Sequence, residues 1–463
     1  MSGCCLRNFY QRKKMYPREK KTTIRFKILR SANLLALVLI LAHPCPARGE
    51  AQAQPELATY AIENPAAEND LLPWGLGPLA VWGHRSALPY HDARGQDWLY
   101  IQDRAGWESH LRLPGSLGPN DRAHAGYAFA TPHDFWLWSG VLGRTHLRHY
   151  HLTGAGAAPE RLSLVSETAI GDQDTRPGGL IALANGGLVG VWHQFTYHED
   201  RHLEVGFIYR DPEGRVTTLA PLRVPGRAGN PVATRWALVQ HPADGSIWAF
   251  LKRDSYREIS AIRLEEGPEG LRVERIETAF IDRRQGLHAP EAEFPYLAAV
   301  PDLERKLILL GYQNSQQRIF QITDGEGSLL GGVCPIPANG PLKPHIFAKG
   351  AQLSIAEIAG DGSASFVALP AYTERVRPFG LAVEEGLWVM FEEASCHSHG
   401  PSSSAINDEI FLARRQGSWH PPQRIGRAET LNNSLASHIF FNPEWPQFVV
   451  RLENGRLHSI ERR

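Results

Sequence analysis

One pattern recurs along this chain and constrains its fold more than any other feature. From about residue 77 onward a polar stretch, often holding a proline, leads into a short apolar strand. A turn follows, then a second apolar strand that stops at a polar or aromatic residue where a loop begins. The clearest copy has Arg176-Pro177, Leu180 to Ala184, the turn Asn185-Gly186-Gly187, Leu188 to Trp192, and then His193. Asn-Gly between apolar runs is a strong hairpin signal. Further copies start at Asn230-Pro231, Phe294-Pro295, Lys343-Pro344, Arg377-Pro378 and Asn433, with two weaker ones at Leu79 to Ile101 and Tyr127 to Trp138. The period of about 50 residues suits four-stranded propeller blades. The chain is therefore read as all-β, a propeller of antiparallel blades. Eight hairpin-like units can be counted; seven blades are expected, with six and eight as alternatives. The last unit has room for three strands, and a strand within Glu56 to Ile62 would complete it and close the ring.

Composition agrees. There are 43 Gly and 33 Pro but only three Met, which suits many turns and few long helices. Lys plus Arg equals Asp plus Glu at 49 each. That balance argues against nucleic acid or an anionic membrane as the main partner. It leaves room for an acidic sugar held by a few local arginines. Twelve Trp and 20 His are generous counts for a polar, aromatic binding surface, although core positions would absorb most of the Trp.

The N-terminus has the three-part build of a secretory signal. Arg25, Lys27 and Arg30 precede the apolar run Leu34 to Ala42, and Ala51-Gln52-Ala53 forms an A-x-A cleavage site. The run is shorter than the ~20 residues a membrane span needs. Met15 is an alternative start, and His43-Pro44 before Cys45 do not fit a lipidation site. The expected organisation is a leader over 1–53, an N-terminal segment over 54–76 and the propeller over 77–463, in a secreted or periplasmic protein with no membrane span after cleavage. Two cysteines then remain, Cys334 and Cys396, and their spacing leaves pairing open.

Asp408 to Arg414, followed by Gly417-Ser418-Trp419-His420-Pro421-Pro422, resembles an outer hairpin of sialidase-like propellers with bacterial neuraminidase repeats. The order Arg176 to His193, Asn230 to Arg253 and Phe294 to Asn314 resembles the blade series of their subgroup that includes ulvan-lyase-like polysaccharide lyases. The resemblance spans most of residues 77–463 and implies carbohydrate chemistry. Asp244-Gly245-Ser246-Ile247-Trp248 keeps an Asp, a Gly and a Trp of the sialidase Asp-box. His193 stands where a lyase His would. The subgroup's Asp-His-Asn cluster and its Tyr have no counterparts at Gln173 to Arg176 or Thr234 to Trp236.

In a propeller, the links between blades and the loops joining second to third strands meet on one face, where binding residues are expected. The richest such segment is Trp192 to His202. His193 would be the base and Tyr197 the acid of a β-elimination, since imidazole and phenol can exchange protons with substrate. Arg176 would form a bidentate pair with a uronate. Arg235, His198, Tyr312, Asn314, Arg377 and Glu392 complete the expected substrate-binding set. His397 and His399, beside Cys396 and Glu393, are ligand types for a divalent metal, although structural zinc sites usually show wider, paired spacing. No phosphate-binding Gly-rich loop, G-x-S-x-G elbow or H-E-x-x-H motif occurs. Three functions follow: a propeller that binds, and with His193 and Tyr197 as acid–base pair cleaves, an acidic polysaccharide; a non-catalytic binding or assembly module; and a sialidase-type glycoside hydrolase, which needs two suitably spaced carboxyls.

Overall fold

The structure, a computed structural model, describes residues 57–67, 71–74, 78–114, 125–140, 145–154, 161–170, 175–196, 202–224, 235–252, 259–267, 270–279, 297–314, 318–323, 343–348, 352–370, 376–399, 403–427, 439–452 and 455–462. For some strand residues, among them Asn314, Arg377, Glu392, His397 and His399, it describes the backbone alone. The signal-like segment, Tyr197, His198 and Cys334 lie outside the described residues. No helix occurs among those described, and none is long and apolar enough to cross a membrane.

The strands form seven antiparallel blades arranged as a β-propeller. Leu57–Ala61 (β1) precedes the first blade. In that blade Leu72–Pro73 (β2) and Ala80–Trp82 (β3) share the inner position along Arg85–His91 (β4), followed by Asp97–Asp103 (β5) and Glu108–Arg112 (β6). Blade two is Ala125–Thr131 (β7), Asp134–Ser139 (β8), Thr145–Thr153 (β9) and Arg161–Ile170 (β10). Blade three is Arg176–Ala182 (β11), Leu188–Thr196 (β12), His202–Arg210 (β13) and an outer edge split into Val216–Thr218 (β14) and Leu222–Val224 (β15). Blade four is Arg235–Gln240 (β16), Ile247–Lys252 (β17), Ile259–Gly267 (β18) and Gly270–Ala279 (β19).

Blade five starts with Leu297–Asp302 (β20) and Leu307–Asn314 (β21). A separate two-stranded sheet, Arg318–Thr323 (β22) and Lys343–Ala348 (β23), is inserted before the blade resumes with Gln352–Ile358 (β24) and Ala364–Phe366 (β25). Blade six has Val376–Val383 (β26), the long pair Leu387–His399 (β27) and Ser403–Gln416 (β28), then Ser418–Trp419 (β29) and Gln423–Arg427 (β30). Blade seven joins Phe440–Phe441 (β31), Gln447–Arg451 (β32) and Leu457–Arg462 (β33) to β1, in the order β1-β33-β32-β31. A parallel bridge from Pro78 to Phe441 links blade seven to blade one.

The seven blades are as expected, and one of the eight hairpin-like units is corrected. The unit read from Lys343 through Ile358 is not a hairpin: β23 pairs with β22, whereas β24 is the third strand of blade five.

The core lies between blades. Apolar residues of facing sheets pack in continuous clusters, such as Val191, Phe207, Trp236 and Leu238 between blades three and four. All twelve Trp are described and none is exposed; nine are buried. Indole therefore serves chiefly to fill the wedges between sheets, not to present a surface. Close packing also fixes glycines. A Cβ on Gly126 would come within 2.7 Å of the backbone of Gly179 and Leu180 in the next blade.

Candidate functional site

Antiparallel register places a set of side chains at one level. In blade three Arg176 opens β11 and pairs with His193 on β12. In blade four Arg235 opens β16 and pairs with Lys252, the last residue of β17. In blade five Leu297 opens β20 and pairs with Tyr312 on β21. In blade six Arg377 pairs with Glu392. These pairs all sit where inner strands begin, so they ring the same end of the propeller, here called the upper end. Arg176, His193, Arg235 and Tyr312 are thereby brought to one level in three successive blades. Arg377, Glu392 and Asn314 are placed by backbone register alone. His397 and His399 lie farther along β27, opposite Ala405 and Ser403.

His193 is 1% exposed, not a loop residue. The Trp236 indole N–H donates to its Nδ1 at 3.0 Å, across the boundary between blades three and four. An indole nitrogen can only donate. With Nδ1 accepting, neutral His193 carries its proton on Nε2. Neither nitrogen then has a lone pair available to act as a base while that hydrogen bond persists. His193 locks two blades beneath the level of the cations.

Lys252, which is missing from the expected substrate-binding set, belongs to this level. It is 5% exposed, and its Nζ lies 5.6 Å from the centroid of the Tyr312 ring. A cation over an aromatic face at this range is attracted by the ring quadrupole. The signal that could have found it is its place at the end of the apolar run Ile247 to Leu251, which matches His193 after Leu188 to Trp192. Arg176 is half-buried, and its Nη1 is buried with no hydrogen-bond acceptor among the described residues. A buried donor left in this state costs about 1–3 kcal/mol, and an anionic oxygen from outside would relieve it.

The opposite, lower end has a cleft of about 340 Å³ lined by Arg104, Glu384, Glu385, Glu461 and Arg462. Its arginines are already paired, Arg104 with Glu384 and Arg462 with Glu385 at 2.6 Å. The cleft thus belongs to the ion pairing that joins blades one, six and seven, and the upper level is the better candidate for a ligand. Among the described residues, no group of three or more His, Cys, Asp or Glu is placed to hold a metal ion.

No protein-family model matches the sequence, and no curated protein matches it. Solved structures do share its shape in part. An oligogalacturonate lyase in complex with manganese is 10% identical, over 89% of this chain and 98% of that one, at a TM-score of 0.47. An ulvan lyase of a new polysaccharide lyase family is 8% identical, over 85% and 94%, at 0.46. A lectin from Burkholderia pseudomallei is 10% identical, over 85% and 96%, at 0.47. Likeness at this level assigns no activity.

Proposed function

We propose that this is an exported protein that binds an anionic polysaccharide at the upper end of blades three to five, and that recognition, not cleavage, is its role. The carrying observation is the single level that holds Arg176, Arg235 and Lys252, with a buried Arg176 donor lacking an acceptor among the described residues. A planar guanidinium fits a carboxylate or sulfate through paired hydrogen bonds. The signal-like leader supports export. The commitment of His193 Nδ1 to Trp236 argues against His193 as the base of a β-elimination.

The test is calorimetric titration of the protein, produced without residues 1–53, with polygalacturonate, alginate, heparin and neutral dextran. Binding is expected to at least one charged polymer and not to dextran, and it should weaken as salt rises. Arg176→Ala and Lys252→Ala should each weaken it about tenfold, the ~1.4 kcal/mol scale of one lost charge-assisted contact. Equal binding to dextran, or unchanged binding in both variants, would overturn the site. Release of unsaturated product with any of these polymers would overturn the non-catalytic reading.

A further inference from the structure

The ion pairing that makes the lower cleft a poor site for a polyanion fits it to a smaller ligand. Asp103 Oδ1 accepts the backbone N–H groups of Ala105 and Trp107 at 2.9 Å, so the turn between β5 and β6 presents Arg104 to the cleft. The Arg104 guanidinium lies 5.9 Å from the centroid of the Trp445 ring. Arg462 ends β33, and Glu384 and Glu385 lie in the turn between β26 and β27. Tyr60 of β1 lines the same space and is 37% exposed. A Cβ on Gly106 would meet nothing within 4 Å, which marks the open side. A guanidinium has five N–H donors, and a carboxylate accepts at both oxygens. Among the described residues, Arg104 donates to Glu384 Oε1, and Arg462 Nη2 reaches Glu385 Oε2 at 2.6 Å. Arg462 Nη1 stands 3.8 Å from Glu384 Oε2, too far for a hydrogen bond. Glu384 Oε2 is buried and has no hydrogen-bond donor among the described residues. The Glu384 side chain is 22% exposed, so a small turn of its carboxylate brings that oxygen to the cleft.

We propose that the lower cleft binds a free α-amino acid as its zwitterion. The lining sets Glu384, Glu385 and Glu461 against Arg104 and Arg462, and Arg414 Nη2 lies 3.5 Å from Glu385 Oε2. These charges sum to zero. A ligand with no net charge therefore adds no uncompensated charge to the cleft, whereas a polyanion or a bare cation does. Spare donors and a spare acceptor in one space call for a ligand that carries both signs. The carboxylate takes unused N–H groups of Arg104 and Arg462, in the paired geometry that guanidinium favours. The ammonium, which can only donate, gives Glu384 Oε2 the hydrogen bond it lacks. An uncharged sugar makes neutral hydrogen bonds here, about half as strong as charge-assisted ones. A space of about 340 Å³ is at the small end of ligand pockets, suited to one amino acid and not to a polymer. The Tyr60 ring gives the ligand side chain an aromatic wall. This cleft is at the end opposite Arg176 and Lys252, so it does not depend on polysaccharide binding there.

Calorimetric titration of the protein produced without residues 1–53 with each common L-amino acid in turn tests this. At least one should bind, with one molecule per chain. Its N-acetyl form, which lacks the ammonium, and its amide, which lacks the carboxylate, should each bind at least tenfold more weakly. Arg104→Met and Glu384→Gln should each weaken binding of the unblocked amino acid at least tenfold. Arg104 is 48% exposed, so its replacement leaves the core untouched. The blocked analogues supply the answer on the parent protein if either variant fails to fold. Absence of binding by every amino acid, blocked analogues that bind as tightly as the parent ligand, or binding that both variants retain would overturn the proposal.

Discussion

At the residue scale, what decides a side chain's role is the partner supplied by a neighbouring blade. His193 is visible in the sequence as a polar residue ending an apolar strand, the pattern of an exposed catalytic group. Its burial depends on Trp236, 43 positions away, and no local signal announces that pairing. The Trp236→Phe variant keeps the aromatic volume but removes the N–H. It leaves Nδ1 of a buried imidazole without this donor, and should cost about 1–3 kcal/mol of unfolding free energy in a denaturant titration. An unchanged midpoint and slope would show that the hydrogen bond does not hold the blades. His110 gives a pH-dependent counterpart. Asn64 Nδ2 donates to the Tyr90 hydroxyl at 2.7 Å, and that hydroxyl lies 2.9 Å from His110 Nδ1. Burial pushes His110 down to about 4, against a smaller opposing pull from the backbone of Glu63. Above the ordinary histidine value neither folded nor unfolded chain is protonated here, so the group has no effect. As pH falls from about 6.5 to 4 the unfolded chain takes a proton that the folded chain refuses, and stability drops by up to ~3 kcal/mol. His110→Gln should lower stability at pH 7 yet flatten the acid limb by about that amount. An acid limb as steep as the parent's would place the proton uptake elsewhere.

At the element scale, hairpins with local turns were legible and the inserted pair was not. Asn185-Gly186 and Glu385-Gly386 announce their turns, and the strands on either side pair as the spacing says. In blade five, by contrast, the apolar runs His345 to Ala348 and Leu353 to Ile358 are separated by a short polar gap that mimics a turn. Their real partners are earlier in the chain, because a whole hairpin interrupts β21 and β24. Sequence spacing reports local neighbours, and an insertion between paired strands breaks that rule without leaving a compositional mark. The register suggests how dispensable the insertion is. Asn314 and Gln352 lie directly opposite each other, so an Asn-Gly turn in place of residues 315–351 can join them in the two-residue geometry that twisted strands favour. The shortened protein should fold with a cooperative melt and the parent's oligomeric state, its midpoint within ~5 °C of the parent's, a shift worth about 4 kcal/mol at roughly 400 residues. A chain that fails to fold would show that β22 and β23 support the blade. Normal polysaccharide binding by the folded product would place the site in blades three to five without help from the insertion.

At the scale of the whole molecule, the ring closes through both ends of the chain. β1 pairs with β33 over Leu57 to Ala61, and behind them a polar lock joins blade seven to blade one: Gln447 Nε2 and Ser459 Oγ both donate to Gln102 Oε1 at 2.8 Å. Ala58 and Ile62 are 3% exposed, so the terminal strand is packed on its inner side. The A-x-A site ends at Ala53, three residues before β1. Cleavage there would release the leader and spare the strand that closes the propeller. A chain starting at Glu63 should therefore behave differently from one starting at Gln54. Loss of Ile62 alone removes about 1.5–3 kcal/mol of apolar burial, and the exposed flank of β33 becomes an unpaired edge open to other chains. The shorter chain should melt earlier by thermal denaturation and self-associate in size-exclusion chromatography. A synthetic peptide of residues 54–64, added in excess, should restore the melt and the elution volume of the longer chain by occupying the vacant edge. Ala58→Asp in that peptide should abolish the rescue, because a carboxylate at a 3%-exposed position has no water to solvate it. If the Glu63 start melts like the Gln54 start, blade seven holds with three strands and the closure resides in the Gln102 lock and the Pro78–Phe441 bridge.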